Sequence, residues 1–383
     1  MATLIFLVVV SAILIGLAVG AAYFKKETAR LPSSDSKYAG SLPSISSLPA
    51  FSWQSIRPTQ FRPFKRIYHI TMALQSTSPD DLIVIDQDYK DRIELRRDVI
   101  ANNKDTIMGV LYEDDGFTPQ AASKDVVDEI YEYLMSSYLP ARFPTIFTKE
   151  PSGDGKTSVL YNRIMGSRFP CAPPLDPLEA FRILGETVED DLFILKEEDT
   201  TSTVEGGPEY PSTSHRVVAF LCCFPSGFDP KAKLGLLLKD VHKPVPSYDK
   251  IGPSMERFFS KLEAGKSAKR LNRQWSVQTH TNLFTPTGNH IHEGEAYEDD
   301  ADVDIDTARF RVECQTITRL PQTRGVLFSF KTYLFPIKEI KAEGMGPSLA
   351  DAVEGLKSGN APGMWTYKGG VRWGKSMCAY LRG

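Results

Sequence analysis

His242 lies near the end of the segment FPSGFDPKAKLGLLLKDVHKPVP, residues 224–246, and its surroundings equip it for chemistry. Asp229 can cap a helix and Pro230 can open its first turn, where a missing N–H costs nothing. Leu234, Leu237, Leu238 and Val241 recur at helical spacing, so the pattern predicts a helix over 230–242. His242 lies one turn beyond Leu238, and Pro244 forbids continuation. A histidine in this position is either a satisfied core residue or a ligand. Ligation of a haem iron demands a neutral imidazole, rigidly held and sheltered by apolar packing. Spacing alone leaves both readings open.

Other motifs carry weaker signals. GDGKTS (153–158) ends like a phosphate-binding loop, but Glu150 stands where the pattern needs glycine, so a polar turn is the expectation. HIHE (290–293) has the His-x-His spacing of metal sites, yet its further ligands would have to come from elsewhere and its neighbours are acidic and polar. DVDID (302–306), with Asp304 at its centre, fits a metal-dependent glycosyltransferase or an ordinary solvated acidic run. Neither a Gly-x-Ser-x-Gly elbow nor a Gly-x-Gly-x-x-Gly fingerprint occurs, so any redox chemistry needs electrons from another protein.

These residues need a scaffold, and the patterning supplies one. Helical periodicity marks about 86–101, 123–138, 177–187 and 253–265, with Val126, Val127, Ile130, Tyr131, Leu134 and Met135 on one face of the second. RVVAFLCCF (216–224) reads as a buried strand and RQWSVQTH (273–280) alternates. In RFRVECQTITRL (309–320), Phe310, Val312, Cys314 and Thr316 fall on one face and Arg311, Glu313 and Gln315 on the other. PQTR joins this run to GVLFSFKTYLF (325–335) as a hairpin, and 286–306 reads as an exposed loop insertion. The sum is an α+β domain, an antiparallel sheet with helices packed on it.

The chain of 383 residues is 42% apolar and 24% charged with a net charge of −3, which gives no reason to expect a nucleic-acid partner. Five cysteines without regular spacing read as free thiols in a reducing compartment. Residues 2–24 carry no charge and Lys25, Lys26 and Arg30 follow, which predicts a membrane anchor over 1–26 with the bulk of the chain cytosolic, the endoplasmic reticulum being one such membrane. Secretion after signal-peptide cleavage is the alternative. Residues 27–60, rich in Ser and Pro, read as a linker to a globule over 61–383.

The 224–246 segment resembles the signature of the haem-dependent oxidative N-demethylase-like family. FRPFKRIYHITMAL (61–74), LPARFP (139–144), RLNRQW (270–275) and RFRVECQTITRLPQTRGVLFSFKTYLFPI (309–337) also match, in the family's order. The resemblance implies a PAS-like antiparallel sheet with a haem-binding helix and additional helices. It also implies oxygen-dependent removal of a methyl group from a small secondary amine, releasing formaldehyde. Electrons would come from NADPH through a separate flavin and iron–sulfur reductase.

Carried over, the resemblance makes His242 the axial haem ligand and Arg270, Arg273 and Arg319 contacts for the haem propionates, with Tyr68 and His69 near the pocket. RVECQ (311–315) departs from the family's pattern by placing Cys314 where an arginine is usual, and Asn272-Arg273 replaces an Asn-Trp pair. The departures point away from a small amine and toward a larger metabolite, as for a fungal tailoring enzyme. A non-catalytic haem sensor of PAS type is the alternative.

Overall fold

The computed structural model describes residues 43–153, 155–203, 209–270, 275–292, 294–297 and 303–383. Its strands are β1 (Leu74–Thr77), β2 (Met108–Val110), β3 (Phe147–Pro151), β4 (Ser158–Asn162), β5 (Ser167–Pro170), β6 (Asp191–Thr203), β7 (Glu209–Leu221), β8 (Ser267–Arg270), β9 (Trp275–Gln278), β10 (Arg309–Arg319) and β11 (Val326–Pro336). The helices are α1 (Tyr89–Ile107), α2 (Ala121–Glu132), α3 (Leu139–Arg142), α4 (Pro177–Gly185), α5 (Leu238–Val241), α6 (Gly252–Lys261), α7 (Ile337–Ala342), α8 (Gly346–Glu354), α9 (Met364–Tyr367) and α10 (Gly370–Arg382).

The main sheet is antiparallel throughout and runs β1-β8-β10-β11-β6-β7-β2, while β3-β4-β5 form a separate meander. β8 and β9 share one edge of β10: β8 pairs with 315–318 and β9 with 309–312. The ladder on that edge is therefore interrupted beside Glu313 and Cys314. The α+β expectation holds. So does the β10–β11 hairpin, where Arg319 faces Val326 across the PQTR turn. The buried Glu129 carboxylate fixes that turn by accepting from the Gln322 and Thr323 amides, both at 2.8 Å. Two bonds to a charged acceptor hold more firmly than the turn's own backbone.

Both sheet faces are covered. On one, Val126, Val127, Ile130, Tyr131, Leu134 and Met135 are fully buried, as the periodicity predicts; α2 passes into a π-helical turn at Tyr133–Tyr138. Phe310 and Val312 of β10 pack with Leu349 and Val353 of α8 and Trp373 and Met377 of α10. Behind the sheet, Lys331 pairs with Asp86 at 2.9 Å and Glu189 at 2.6 Å, and Arg96 with Asp191 at 2.7 Å. On the opposite face Phe193 stacks between Phe220 and Phe330, with centroids 5.7 and 6.3 Å away. Burying each such ring contributes roughly 1.5–3 kcal/mol.

The predicted helix over 230–242 is replaced by two short pieces, a 3-10 turn at Lys231–Lys233 and α5. Asp229 does accept from the Lys231 amide at 2.9 Å. Gly235 then takes a left-handed φ of 79°, and Gly235–Leu237 turns to the edge of β7. Val217 donates to Leu236 O at 3.0 Å and Gly235 to Val217 O at 2.9 Å. An open strand edge is a strong competitor for backbone hydrogen bonds, and glycine has no Cβ to oppose the turn.

Part of the Ser/Pro-rich stretch is tied to the globule: Leu48 donates to Arg142 O at 2.9 Å and Phe51 meets Phe143 at 5.0 Å. The predicted anchor lies outside the described residues. Among those described, no helix is long and apolar enough to cross a membrane. GDGKTS forms the β3–β4 turn, with Asp154 outside the described residues. All five cysteines are buried and none forms a disulfide with another described residue.

Candidate functional site

The odd-numbered face of β10, which patterning alone would leave in water, is covered. Arg311, Glu313, Gln315 and Ile317 line a cavity of about 250 Å³ that opens to the surface. Its floor carries Phe193, Phe328 and Phe330; α5, α6 and the 226–228 loop form walls, and the α9 end closes another side. Polar residues alternate on this face because they serve the cavity, not solvent.

His242 caps the C-terminal end of α5 and lines the cavity. Its Nδ1 lies 2.9 Å from Leu238 O. A carbonyl oxygen only accepts, so Nδ1 carries the proton and Nε2 keeps its lone pair. Tyr248 fixes the ring from one side, stacked at 4.6 Å. The ring is partly exposed, yet burial withholds enough water to lower its pKa to about 4, with the nearby Lys233 and Arg270 charges acting in the same direction and the Leu238 bond against it. The imidazole is neutral, oriented and unprotonated at Nε2 across physiological pH.

Arg270 ends β8 at the cavity wall and donates to Gln315 Oε1 at 3.3 Å and Thr71 O at 3.1 Å. Tyr68 also lines the wall. His69 is exposed and takes no part. Arg273 lies outside the described residues. Arg319 is fully buried on the same strand face but beyond the cavity's end, where it donates to Leu262 O at 3.2 Å, Arg324 O at 2.6 Å and Phe259 O. It ties β10 to the end of α6 and is not a cavity cation.

The HIHE histidines sit elsewhere than expected. His290 is buried on the cavity wall, stacked on Tyr367 at 4.4 Å, while the exposed His292 meets the same ring edge-on at 6.3 Å. Burial lowers the His290 pKa to about 3, with Lys368, His292 and Arg311 adding to the shift. The two imidazoles are organised around a phenol. Among the described residues no group of three or more His, Cys, Asp or Glu is arranged to hold a metal ion. Asp304 is exposed and accepts from the Asp306 amide at 3.0 Å and the Thr307 hydroxyl at 3.1 Å, the geometry of a loop turn.

The cavity therefore has two poles. Lys233 and Arg270 act electrostatically on His242, and Lys368 and Arg311 act on His290. Arg311 fixes the loop beside the second pole by donating to Phe224 O at 2.6 Å and Leu283 O at 3.1 Å. Glu313, whose carboxyl burial pushes up, accepts from Gln315 Nε2 at 2.9 Å. Cys314, the departure within RVECQ, points to the other sheet face and packs among the C-terminal helices, so it does not touch the cavity.

The donor set fits a haem: the neutral, oriented imidazole of His242 with a free lone pair, an aromatic floor and cations beside it. Sequence reasoning missed Lys233 and Lys368 as cavity residues. Lys233 belongs to the 3-10 turn that a continuous helix would not have contained, and Lys368 comes from the far end of the chain with no local signal. A larger open groove adjoins the cavity and shares Val245, Tyr248, His292 and Tyr367 with it. The family model described as haem-dependent oxidative N-demethylase, alpha subunit-like, matches residues 73–378, most of the sequence, and the chain belongs to that family.

Proposed function

We propose that this protein is a haem-dependent oxidoreductase that removes an N-methyl group from an organic amine, with His242 as the residue that would hold the haem iron. The observation that carries the reading is the neutral His242 imidazole, locked by Leu238 O and Tyr248, on the wall of a cavity that also contains a carboxylate. Bound haem would supply oxygen activation. His242 would offer Nε2, while Lys233 and Arg270 supply positive charge for the propionates. Arg273 keeps its expectation from the family resemblance, as does the PAS-like description of the fold.

Glu313 is the cavity's carboxylate among the described residues and suits a cationic amine. Its placement on a sheet strand fixes the amine better than a loop would. The aromatic floor excludes water, which strengthens that pairing. One O₂, two electrons and two protons convert R₂N–CH₃ to R₂NH, formaldehyde and water. The electrons would arrive from a separate NADPH-dependent flavin and iron–sulfur reductase. The uncharged stretch 2–24 followed by Lys25 and Lys26 supports attachment to a membrane with the enzyme on its cytosolic side.

Haem-loaded protein supplied with oxygen, a reductant and an N-methylated amine should release one formaldehyde per amine demethylated. A stable oxygen complex, indifferent to amines, would favour a haem sensor instead.

A further inference from the structure

Among the described residues the cavity is lined by four cations, Lys233, Arg270, Arg311 and Lys368, against the single carboxylate of Glu313. Lys233 donates to Val241 O at 3.0 Å, Arg311 to Phe224 O at 2.6 Å, and Lys368 to Trp275 O at 2.5 Å. These acceptors are neutral, and among the described residues none of the three cations has a carboxylate within 4.0 Å. If a haem binds as proposed above, its two propionates match Lys233 and Arg270 at the His242 pole. At the other pole Arg311 and Lys368 share the one carboxylate of Glu313, which acts on both without pairing with either.

Lys368 is the side chain with capacity to spare. It is 2% exposed, and Trp275 O uses one of its three N–H donors. Its ammonium lies 5.6 Å from the Tyr68 ring centroid and 5.8 Å from that of Trp275. Burying an ammonium is costly unless it is paired, and one carbonyl does not satisfy this one. Burial lowers its pKa to about 8, so it is still largely protonated at neutral pH. Lys368 lines the cavity wall, and Gly369, at a φ of 72°, follows it as the residue that opens α10.

We propose that Lys368 receives a carboxylate of the substrate, so that the amine demethylated is an N-methylated amino acid with its nitrogen facing Glu313. Phe193, Phe328 and Phe330 on the floor would pack against an apolar side chain on that amino acid. This inference rests on the haem reading and deepens it.

The test uses two ligands that differ by one carboxylate, N-methylphenylalanine and N-methyl-2-phenylethylamine. Each is titrated into the haem-loaded protein and followed by the Soret difference spectrum. The wild type should bind the amino acid roughly tenfold or more tightly than the amine, the worth of a charge-assisted bond. Lys368→Met should erase that preference with haem retention unchanged, and Lys368→Arg should restore it. Equal binding of the two ligands by the wild type would overturn the inference while leaving the haem reading intact. Loss of haem from Lys368→Met with the preference preserved would assign Lys368 to a propionate and also overturn it. A wild type that takes up no haem would remove the underlying reading and this one together.

Discussion

The His242 imidazole lies flat on the Tyr248 phenol, with ring centroids 4.6 Å apart and planes 4° from parallel. With Nδ1 held 2.9 Å from Leu238 O, the ring has little rotational freedom left. Replacing Tyr248 by leucine removes the stack and keeps the backbone bond. Haem affinity, measured by Soret titration, should fall about three- to tenfold, the worth of one aromatic contact.

Gly227 occupies a φ of 70°, and a Cβ there would sit 2.8 Å from His290 Nδ1 and 2.9 Å from the His290 main-chain nitrogen. The imidazole can swing away, but the backbone cannot. Gly227→Ala should cost about 1–3 kcal/mol in chemical denaturation. It should also break the His290–Tyr367 stack, which two-dimensional NMR of the histidine ring protons would reveal as a shift change.

Arg96 and Asp191 form an ion pair with side chains 0% and 1% exposed. The same carboxylate accepts from the Cys223 and Phe224 amides, both at 2.8 Å, and so anchors the strand exit that leads into the cavity loop. Arg96→Met strands the buried charge and should destabilise by roughly 3–5 kcal/mol in urea. Haem affinity should weaken as well, because the 226–228 wall hangs from that anchor.

Asp190 gives a pH signature of defined sign. Burial raises its carboxyl to about 7, with Glu189 and Asp191 adding to the rise against Lys331 and Arg96. Between its ordinary value near 3.8 and pH 7 the folded state holds a proton that the unfolded state releases. Asp190 therefore withdraws stability as pH rises through that window and no further above it. The melting temperature of Asp190→Asn relative to the wild type should increase from pH 5 to pH 7 and then level off. A flat difference would contradict the shift.

The strands and helices that carry strong periodicity were legible from the residues alone. β10 and β11 showed their alternation because each face meets one environment, and α2 showed its stripe for the same reason. The 230–242 helix failed at Gly235, where the free edge of β7 offers hydrogen bonds that no local pattern announces. His290 looked solvated among acidic neighbours. It is buried by Tyr367 and Gly227, which are distant in sequence. His242 could be singled out because its rigidity is written locally, in leucines before it and prolines after it. Arg319 matched the family segment yet serves α6, since strand alternation gives its face but not where the cavity ends.

The central claim is tested most directly by titrating haem into wild-type and His242→Ala protein and recording the Soret band alongside far-ultraviolet circular dichroism. The wild type should bind haem stoichiometrically. His242→Ala should keep its fold, fail to hold haem, and regain the band when free imidazole is added. An alanine variant that retains haem with an unchanged spectrum would contradict the account.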